Sequence, residues 1–174
     1  MRIEQAVSEP GAFRLREPER NDGAALHSLV RACPPLDLNS AYAYFLLADH
    51  FSGTLVVAEN EEGLAGAVTA YILPDRPDTL FVWQIAVAPG ARRAGLGGKM
   101  LRELLRRPSC SRVKFIETTI SPSNMASKRL FISLAQWLGC GVETGLFLSG
   151  DDFPEVGHEE EFLYRIGPFG PPEV

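Results

Sequence analysis

Hydrophobic and polar residues recur along this chain with two different periods, and the change of period divides it into strands and helices. Every second residue is apolar in a half-buried strand, whereas apolar residues three and four apart mark one face of a helix. The predicted strands are Ala12 to Glu17, Thr54 to Glu59, Leu64 to Leu73, Thr79 to Val87, Val113 to Ile120, Val142 to Leu148 and Glu161 to Ile166. The predicted helices are Glu19 to Ala32, about Ser40 to His50, one that begins in the glycines at 95–98, and about Asn124 to Leu138. The order β-α-α-β-β-β-α-β-α-β-β predicts an α/β fold.

The pattern continues as one domain over residues 12–170, and we expect residues 1–11 to be a flexible tail. No apolar run approaches the roughly 20 residues that span a bilayer, and the first residues lack the apolar core of a signal peptide. Cys33, Cys110 and Cys140 are odd in number and widely spaced, which is typical of reduced thiols. The histidines are too scattered to suggest a metal site. We therefore expect a cytoplasmic protein without a metal.

The charge is unevenly distributed. The net charge of −5 argues against general nucleic-acid binding. Residues 92–112 nevertheless contain seven basic residues and one acidic residue, a local charge of +6, so the rest of the chain carries −11. A basic segment in an acidic protein suits a polyanionic cofactor. We expect Arg106 and Arg107, at the end of this segment, to lie on a solvated helix face.

A glycine-rich turn opens the basic segment, between the buried strand that ends at Val87 and the next helix. Such a turn leaves backbone N–H groups free at a helix N-terminus, where the helix dipole and the missing side chains favour a phosphate. The turn lacks the Gly-Lys-Ser/Thr ending of a P-loop and the last glycine of a dinucleotide-binding fingerprint. An ordinary glycine-containing strand-to-helix turn is the alternative explanation, but the preceding strand, which ends in Val87-Ala88-Pro89, favours phosphate binding.

Arg92 to Gly97 matches R-x-x-G-x-G and resembles the pyrophosphate-binding motif of the GNAT N-acetyltransferase superfamily. The segment from Asn124 to Phe131 resembles the second superfamily motif, N-x-x-A/S-x-x-L-Y, except that phenylalanine replaces the final tyrosine. The resemblance implies a GNAT fold, in which helices flank a central mixed sheet. That sheet splays apart beside the first motif and takes acetyl-CoA in the gap. The cofactor-binding residues that it implies are Ile85, Val87, Arg92, Arg93, Gly95, Leu96, Gly97, Gly98, Asn124 and Ser127.

Several polar residues lie outside these motifs and are candidates for the acceptor site. Asp37 and Tyr42 flank the entry to the second helix and could hold or deprotonate an amine, although a helix cap and a packed ring would explain them equally well. Trp83 lies on the central strand as either a pocket wall or a core residue.

Other candidates lie further along the chain. Glu117 and Thr118 lie in a mostly apolar strand beside the expected gap, where a carboxylate must be paired or functional. An acidic loop, Ser149 to Glu159, contains His158, whose ordinary pKa suits a general base, and Glu159, which could attract a cationic acceptor.

Four blocks of the chain, Cys33–Phe51, Pro77–Leu101, Glu117–Phe131 and Gly157–Phe169, closely resemble the L-2,4-diaminobutyrate acetyltransferase family of ectoine biosynthesis. The resemblance implies transfer of acetyl from acetyl-CoA to the 4-amino group of L-2,4-diaminobutyrate, by direct attack in a ternary complex, in a cytoplasmic homodimer that serves osmoadaptation. Phe131 cannot donate a proton to the departing thiolate, which makes Tyr42 a candidate acid beside Glu117 and His158 as catalytic residues. The implied substrate-binding residues are Asp37, Trp83, Thr118 and Glu159.

Alternative functions remain open at this point. A GNAT enzyme acting on a polyamine, another small amine or a protein N-terminus would share the same cofactor motifs. A non-catalytic acyl-CoA sensor would explain the missing tyrosine at Phe131.

Overall fold

Seven strands and four helices form the part of the chain that the computed structural model describes, residues 13–154 and 157–170. The strands are β1 (Arg14–Arg16), β2 (Val56–Asn60), β3 (Gly63–Leu73), β4 (Arg76–Val87), β5 (Phe115–Ile120), β6 (Val142–Leu148) and β7 (Glu161–Ile166). The helices are α1 (Gly23–Arg31), α2 (Ala41–His50), α3 (Leu96–Leu105) and α4 (Met125–Leu138). Their order is the predicted one. The expected tail, residues 1–11, lies outside the described residues.

All seven strands belong to one mixed sheet, in the order β1-β2-β3-β4-β5-β7-β6. Only β4 and β5 run parallel, and they pair from Thr79–Phe115 to Phe81–Glu117. Beyond that point β4 continues to Val87 without pairing to β5, while β5 continues to Ile120, and its other edge pairs with β7 from Ile116 to Ile120. The two halves of the sheet therefore separate towards these ends of β4 and β5, and the expected gap is present.

Each face of the sheet carries its own hydrophobic core. On one face, side chains of β4 such as Leu80 and Val82 pack with Leu101 of α3 and Phe131 of α4. On the other face, the strands pack against α1 and α2, and Tyr44 of α2 is fully buried there. No helix within residues 13–154 and 157–170 is both long and apolar enough to cross a membrane.

Two local predictions were wrong. Strand β4 begins at Arg76, not at Thr79, because Leu73 and Arg76 pair directly across a tight turn. Arg107 does not lie on a solvated face: its side chain is buried and donates a hydrogen bond to the carbonyl of Leu55. Burial lowers the pKa of Arg107.

Candidate active site

A groove of about 900 Å³ occupies the gap between the diverging strands. Its wall is formed by the end of β4, the glycine-rich turn, the first turns of α3 and α4, and the loop that follows α1. The wall includes all ten residues that the superfamily resemblance assigns to the cofactor, namely Ile85, Val87, Arg92, Arg93, Gly95, Leu96, Gly97, Gly98, Asn124 and Ser127. Both motifs thus line one continuous cavity, although they are about 30 residues apart in the chain.

The turn before α3 has a backbone conformation that suits an anion. Arg93 and Gly95 both adopt φ of 68°, the left-handed region, which Arg93 occupies at some cost in strain. Left-handed residues in a turn make successive N–H groups point to one side, a concave arrangement that binds anions. Arg92 braces the turn, because its Nε donates to the carbonyl of Val87 at 3.1 Å.

The first turn of α3 adds further donors. Lys99 N–H donates to the Gly95 carbonyl at 3.1 Å, so the N–H groups of the three preceding residues point out of the helix end. Gly97 cannot carry a side chain freely, since a Cβ there would lie 3.2 Å from Leu130 Cδ2. The close approach of α3 to α4 therefore depends on this glycine. Free N–H groups, positive helix dipole and close packing fit a pyrophosphate.

The N-terminus of α4 faces the same groove. Asn124 is its N-cap, and its Oδ1 accepts the N–H of Ser127 at 3.1 Å. The cap holds the Asn124 side chain in place and leaves its amide NH₂ as the group that can donate to a ligand. Phe131, two turns after Asn124, is only 2% exposed and lies in the core. The position therefore has neither a hydroxyl nor access to the groove.

Three further groove residues escaped the sequence analysis: Arg102 on α3, and Arg129 and Ser133 on α4. Helical spacing would have found them, because Arg102 follows Gly98 by four residues and Ser133 follows Arg129 by four. These pairs lie one helical turn apart on the same face.

The loop after α1 forms the remaining wall, from Cys33 to Leu36, and a buried hydrogen-bond network fixes it. The Gln84 amide donates to the carbonyl of Asp37 at 2.6 Å and accepts the Tyr44 hydroxyl at 3.1 Å. Sequence analysis singled out neither Gln84 nor Tyr44. Asp37 itself is solvent-exposed, so its carboxylate is free to meet a ligand while its backbone is held.

Trp83 is the extra residue of a β-bulge. Thr69 pairs with Gln84 and the next residue, Ala70, pairs with Val82, which leaves Trp83 without a partner on β3. The indole is 43% exposed, so it is not a core residue. An exposed tryptophan on the central strand, beside the gap, can serve as a pocket wall.

Acidic residues from separate parts of the chain act on Glu161. Desolvation raises the pKa of Glu161, and the negative charges of Asp37 and Glu159 raise it further, against the Thr119 hydroxyl and His158, which lower it. Glu161 is the first residue of β7, Asp37 belongs to the loop after α1, and Thr119 lies on β5. The carboxylates of Asp37 and Glu161 thus come from two separate elements and act on one another electrostatically. This arrangement can bind an amine or ammonium group.

The acidic loop folds back onto the start of α4. The Glu159 carboxylate accepts hydrogen bonds from the hydroxyl and N–H of Ser123, at 2.8 and 3.3 Å. His158 stacks on Phe153, with ring centroids 3.5 Å apart, and its Nδ1 lies 2.8 Å from the Glu159 carbonyl. Because a carbonyl can only accept, Nδ1 carries the proton and Nε2 is left as a proton acceptor. Neither His158 nor Glu159 lines the groove.

Tyr42 lies in the first turn of α2 and is 70% exposed. The alternative explanation, a ring packed in the core, is excluded for Tyr42 and applies to Tyr44 instead. The Tyr42 phenol does not line the groove. It follows the anchored loop by only a few residues, which keeps it at the same end of the molecule as Asp37.

The structure contradicts the catalytic assignment of Glu117. Its carboxylate is 2% exposed and receives both terminal nitrogens of Arg76, at 2.5 and 2.8 Å, and a further bond from Arg165. Burial alone would raise the pKa of Glu117, but the bonds from the two arginines outweigh it and hold the pKa below its ordinary value. A carboxylate so engaged is a structural ion pair and does not line the groove.

Thr118 is a second correction. It is 4% exposed and shares a face of β5 with Ile116 and Ile120, which belong to the core beneath α3 and α4. The adjacent Thr119 lies on the opposite face of β5, is half-buried and contacts Glu161. Among the described residues, no group of three or more His, Cys, Asp or Glu side chains could hold a metal ion.

Comparison with known proteins agrees with the groove geometry. The sequence model of the Acetyltransferase (GNAT) family matches residues 23–134. An L-2,4-diaminobutyric acid acetyltransferase of Bordetella parapertussis is 49% identical over 96% of this chain and 92% of its own length. Another, of Virgibacillus pantothenticus, is 45% identical over 87% of this chain and 95% of its own.

A solved structure is similar over most of its length. The diaminobutyrate acetyltransferase EctA of Paenibacillus lautus, in complex with its substrate L-2,4-diaminobutyric acid and coenzyme A, superimposes with a TM-score of 0.89. It is 43% identical to this chain, and the match covers 91% of this chain and 96% of that one.

Proposed function

This chain belongs to the GNAT acetyltransferases and, within them, to the L-2,4-diaminobutyric acid acetyltransferases, and from that premise we propose that it acetylates the 4-amino group of L-2,4-diaminobutyrate with acetyl-CoA. The observation that carries the proposal is 49% identity to a protein named for this activity, over 96% of the chain. The catalytic unit is a single GNAT domain, residues 12–170. Its product is N4-acetyl-L-2,4-diaminobutyrate, a step of ectoine biosynthesis.

We assign the cofactor to the groove in the gap. The N–H groups of the turn and of Leu96, Gly97 and Gly98 hold the pyrophosphate, assisted by Arg92 and Arg93. Beyond Phe81 the edge of β4 facing β5 has no strand partner among the described residues, so the backbone at Ile85 and Val87 can pair with the extended pantetheine arm. The Asn124 amide can donate to the same arm. Acetyl-CoA supplies the activated acetyl group at the open end of this gap.

The acceptor is a diamine with one carboxylate, and its cationic groups need carboxylate partners. Asp37 and Glu161 provide them from two sides, while Glu159 is held by Ser123 and shapes the loop between. Trp83, exposed at the bulge, forms the wall against which the aliphatic carbons can pack. Electrostatic attraction and a fixed orientation bring the 4-amino group to the acetyl carbon.

The reaction is direct attack within a ternary complex. The amine nitrogen forms a bond to the acetyl carbon, the carbon–sulfur bond breaks, the nitrogen loses one proton and the sulfur gains one. His158 is our candidate for the proton acceptor, because its Nδ1 is committed to a carbonyl and its Nε2 is free. Tyr42 is our candidate for the proton donor, because Phe131 is buried and has no hydroxyl.

We further propose a cytoplasmic homodimer that serves osmoadaptation. The dimer proposal draws support from β6, an edge strand on which Leu146 and Phe147 are more than half exposed. Two large apolar side chains on an unpaired edge favour contact with a second copy. Sedimentation velocity tests this: Leu146→Ser/Phe147→Ser should shift the dimer towards the monomer.

The decisive experiment measures CoA-thiol release from acetyl-CoA with L-2,4-diaminobutyrate, L-ornithine, L-lysine, putrescine and spermidine. We expect a large kcat/KM preference for diaminobutyrate, with the acetyl group on N4 by NMR. A preference for the polyamines would retain the fold and cofactor but overturn the substrate. No release of CoA thiol with any acceptor, together with tight CoA binding, would support the sensor alternative.

A further inference from the structure

We propose that Arg102, positioned by Trp137, and Arg129 with Ser133 bind the 3′-phosphate of coenzyme A, and that they make the enzyme select coenzyme A over its 3′-dephospho form. The inference depends on the proposed function only in taking coenzyme A as the ligand. It assigns a role to three groove residues whose positions neither motif specifies.

The Arg102 guanidinium is held in one place. Its Nη1 lies 3.6 Å from where a Cβ of Gly98 would be, so the side chain folds back over the first turn of α3. On its other side the guanidinium carbon lies 5.6 Å from the ring centroid of Trp137, a cation–π contact across to α4. An arginine fixed between two helices and facing the groove is preorganised for a ligand.

Helix α4 supplies a second cation. Arg129 and Ser133 are one turn apart on α4, and both line the groove. A guanidinium beside a hydroxyl is a common set of donors for a phosphate monoester.

The groove arginines also differ from the others in the charges around them. Arg16, Arg20, Arg76 and Arg165 are each within 4.0 Å of a carboxylate. Within the described residues, no carboxylate lies that close to Arg102 or Arg129, and the groove wall contains four arginines and no acidic residue. Cations held near one another without counter-ions indicate an anionic ligand.

The number of phosphates decides which one these residues bind. Coenzyme A has two phosphates in its pyrophosphate and a third on the 3′-oxygen of the ribose. The turn and the first N–H groups of α3 account for the pyrophosphate. Arg102 follows Gly98 by one helical turn, about 5.4 Å along the axis. This spacing suits a phosphate attached to the adjoining ribose.

Isothermal titration calorimetry with coenzyme A and with 3′-dephospho-CoA, in the absence of acceptor, tests the proposal. We expect the unsubstituted protein to bind coenzyme A at least about tenfold more tightly, the size of one charge-assisted contact. Arg102→Ala and Arg129→Ala should each weaken coenzyme A binding by about tenfold and leave the binding of dephospho-CoA unchanged. The ratio of the two dissociation constants should then fall towards one.

Arg106→Ala is the matched control. Arg106 contacts the same Trp137 ring, at 5.9 Å, but does not line the groove. We expect it to leave both affinities unchanged. Trp137→Leu should reduce the preference partway, because it frees the Arg102 side chain without removing its charge, and Trp137→Phe should largely restore it. Circular dichroism checks that each variant is folded.

Three outcomes would overturn the proposal. Equal affinity of the unsubstituted protein for both ligands would show that the 3′-phosphate is not bound. Equal weakening of both ligands by Arg102→Ala would place Arg102 on the pyrophosphate. An unchanged preference in Trp137→Leu would remove the positioning role. Because no acceptor is present, an acceptor panel that contradicts diaminobutyrate would leave these results intact.

Discussion

Replacing Glu117 by Gln distinguishes the structural role that the ion pairs indicate from the catalytic role that the sequence suggested. The substitution keeps the shape of the side chain and removes its charge. Two guanidinium groups, those of Arg76 and Arg165, then face a neutral amide at the centre of the sheet. Arg165 also covers the ring of Phe115, 3.9 Å from its centroid, so it cannot swing away freely.

The expected magnitude follows from burial. Removing one partner of a buried ion pair costs about 3–5 kcal/mol. The Arg76 side chain is 47% exposed and that of Arg165 is 27% exposed, so both can regain some water, and we expect a loss of about 2–3 kcal/mol. For a chain of this size, each kcal/mol shifts Tm by about 2–4 °C. Tm should therefore fall by about 4–12 °C.

The pH dependence has a definite sign. A carboxyl whose pKa is lower in the folded protein contributes stability above its unfolded pKa and loses it as pH falls through the folded value. Because the pKa of Glu117 is lowered, the Tm of the unsubstituted protein should exceed that of Glu117→Gln by the full amount at pH 7. This difference should decrease as the pH falls into the acidic range.

Differential scanning fluorimetry across pH, combined with initial rates at saturating substrates, checks this prediction. Glu61→Gln, on the exposed β2–β3 turn, is the matched control and should change neither quantity. We expect Glu117→Gln to retain kcat within a few-fold below its Tm. A loss of kcat of two orders of magnitude or more at unchanged Tm would refute the structural interpretation and return Glu117 to the catalytic residues.

Further substitutions test the two ends of the groove. Glu161→Gln should raise the KM for diaminobutyrate roughly tenfold and leave the KM for acetyl-CoA unchanged. It should also slightly raise Tm at pH 7, because a carboxyl whose pKa is raised by folding destabilises the folded protein when it is ionised. A fall in Tm would contradict this. Gln84→Leu should lower the free energy of unfolding by about 1–3 kcal/mol and raise the acceptor KM, because the Asp37 carbonyl loses its hydrogen-bond donor. Unchanged stability by chemical denaturation would show that this hydrogen-bond network does not hold the loop. Gly97→Ala should raise the KM for acetyl-CoA several-fold by displacing α3 from Leu130, whereas Gly90→Ala, where a Cβ meets nothing within 4 Å, should not; equal KM values in both variants would contradict the packing argument.

The cofactor half of the site was predictable because its signals are local. The turn from Arg92 to Gly98 contains the glycines, the arginines and the helix start within seven residues, and its backbone geometry follows from them. The helix cap at Asn124 is equally local. Short-range chemistry of this kind survives the fold unchanged, so both segments line the groove as expected. The roles assigned to their residues remain predictions.

The acceptor half depended on distant partners. Glu117 finds its arginines 41 and 48 residues away, and nothing near it in the sequence indicates them. Thr118 and Thr119 differ only in which face of β5 they occupy, and that depends on the register with β7. Glu161 gained significance only when the fold brought Asp37 near it. Pairing and register, not residue type, decided these cases.

The short pairing between β4 and β5 has a mechanical consequence. Strands β1 to β4 form one part of the sheet, and β5, β7 and β6 form the other. Within residues 13–154 and 157–170, the strand pairing that joins the two parts is confined to the short segment from Thr79–Phe115 to Phe81–Glu117. A pantetheine arm bound along the free edge of β4 would reinforce the junction between the two parts of the sheet. Binding of coenzyme A should consequently slow amide hydrogen exchange in both parts of the sheet together, because the bound arm suppresses local opening between β4 and β5.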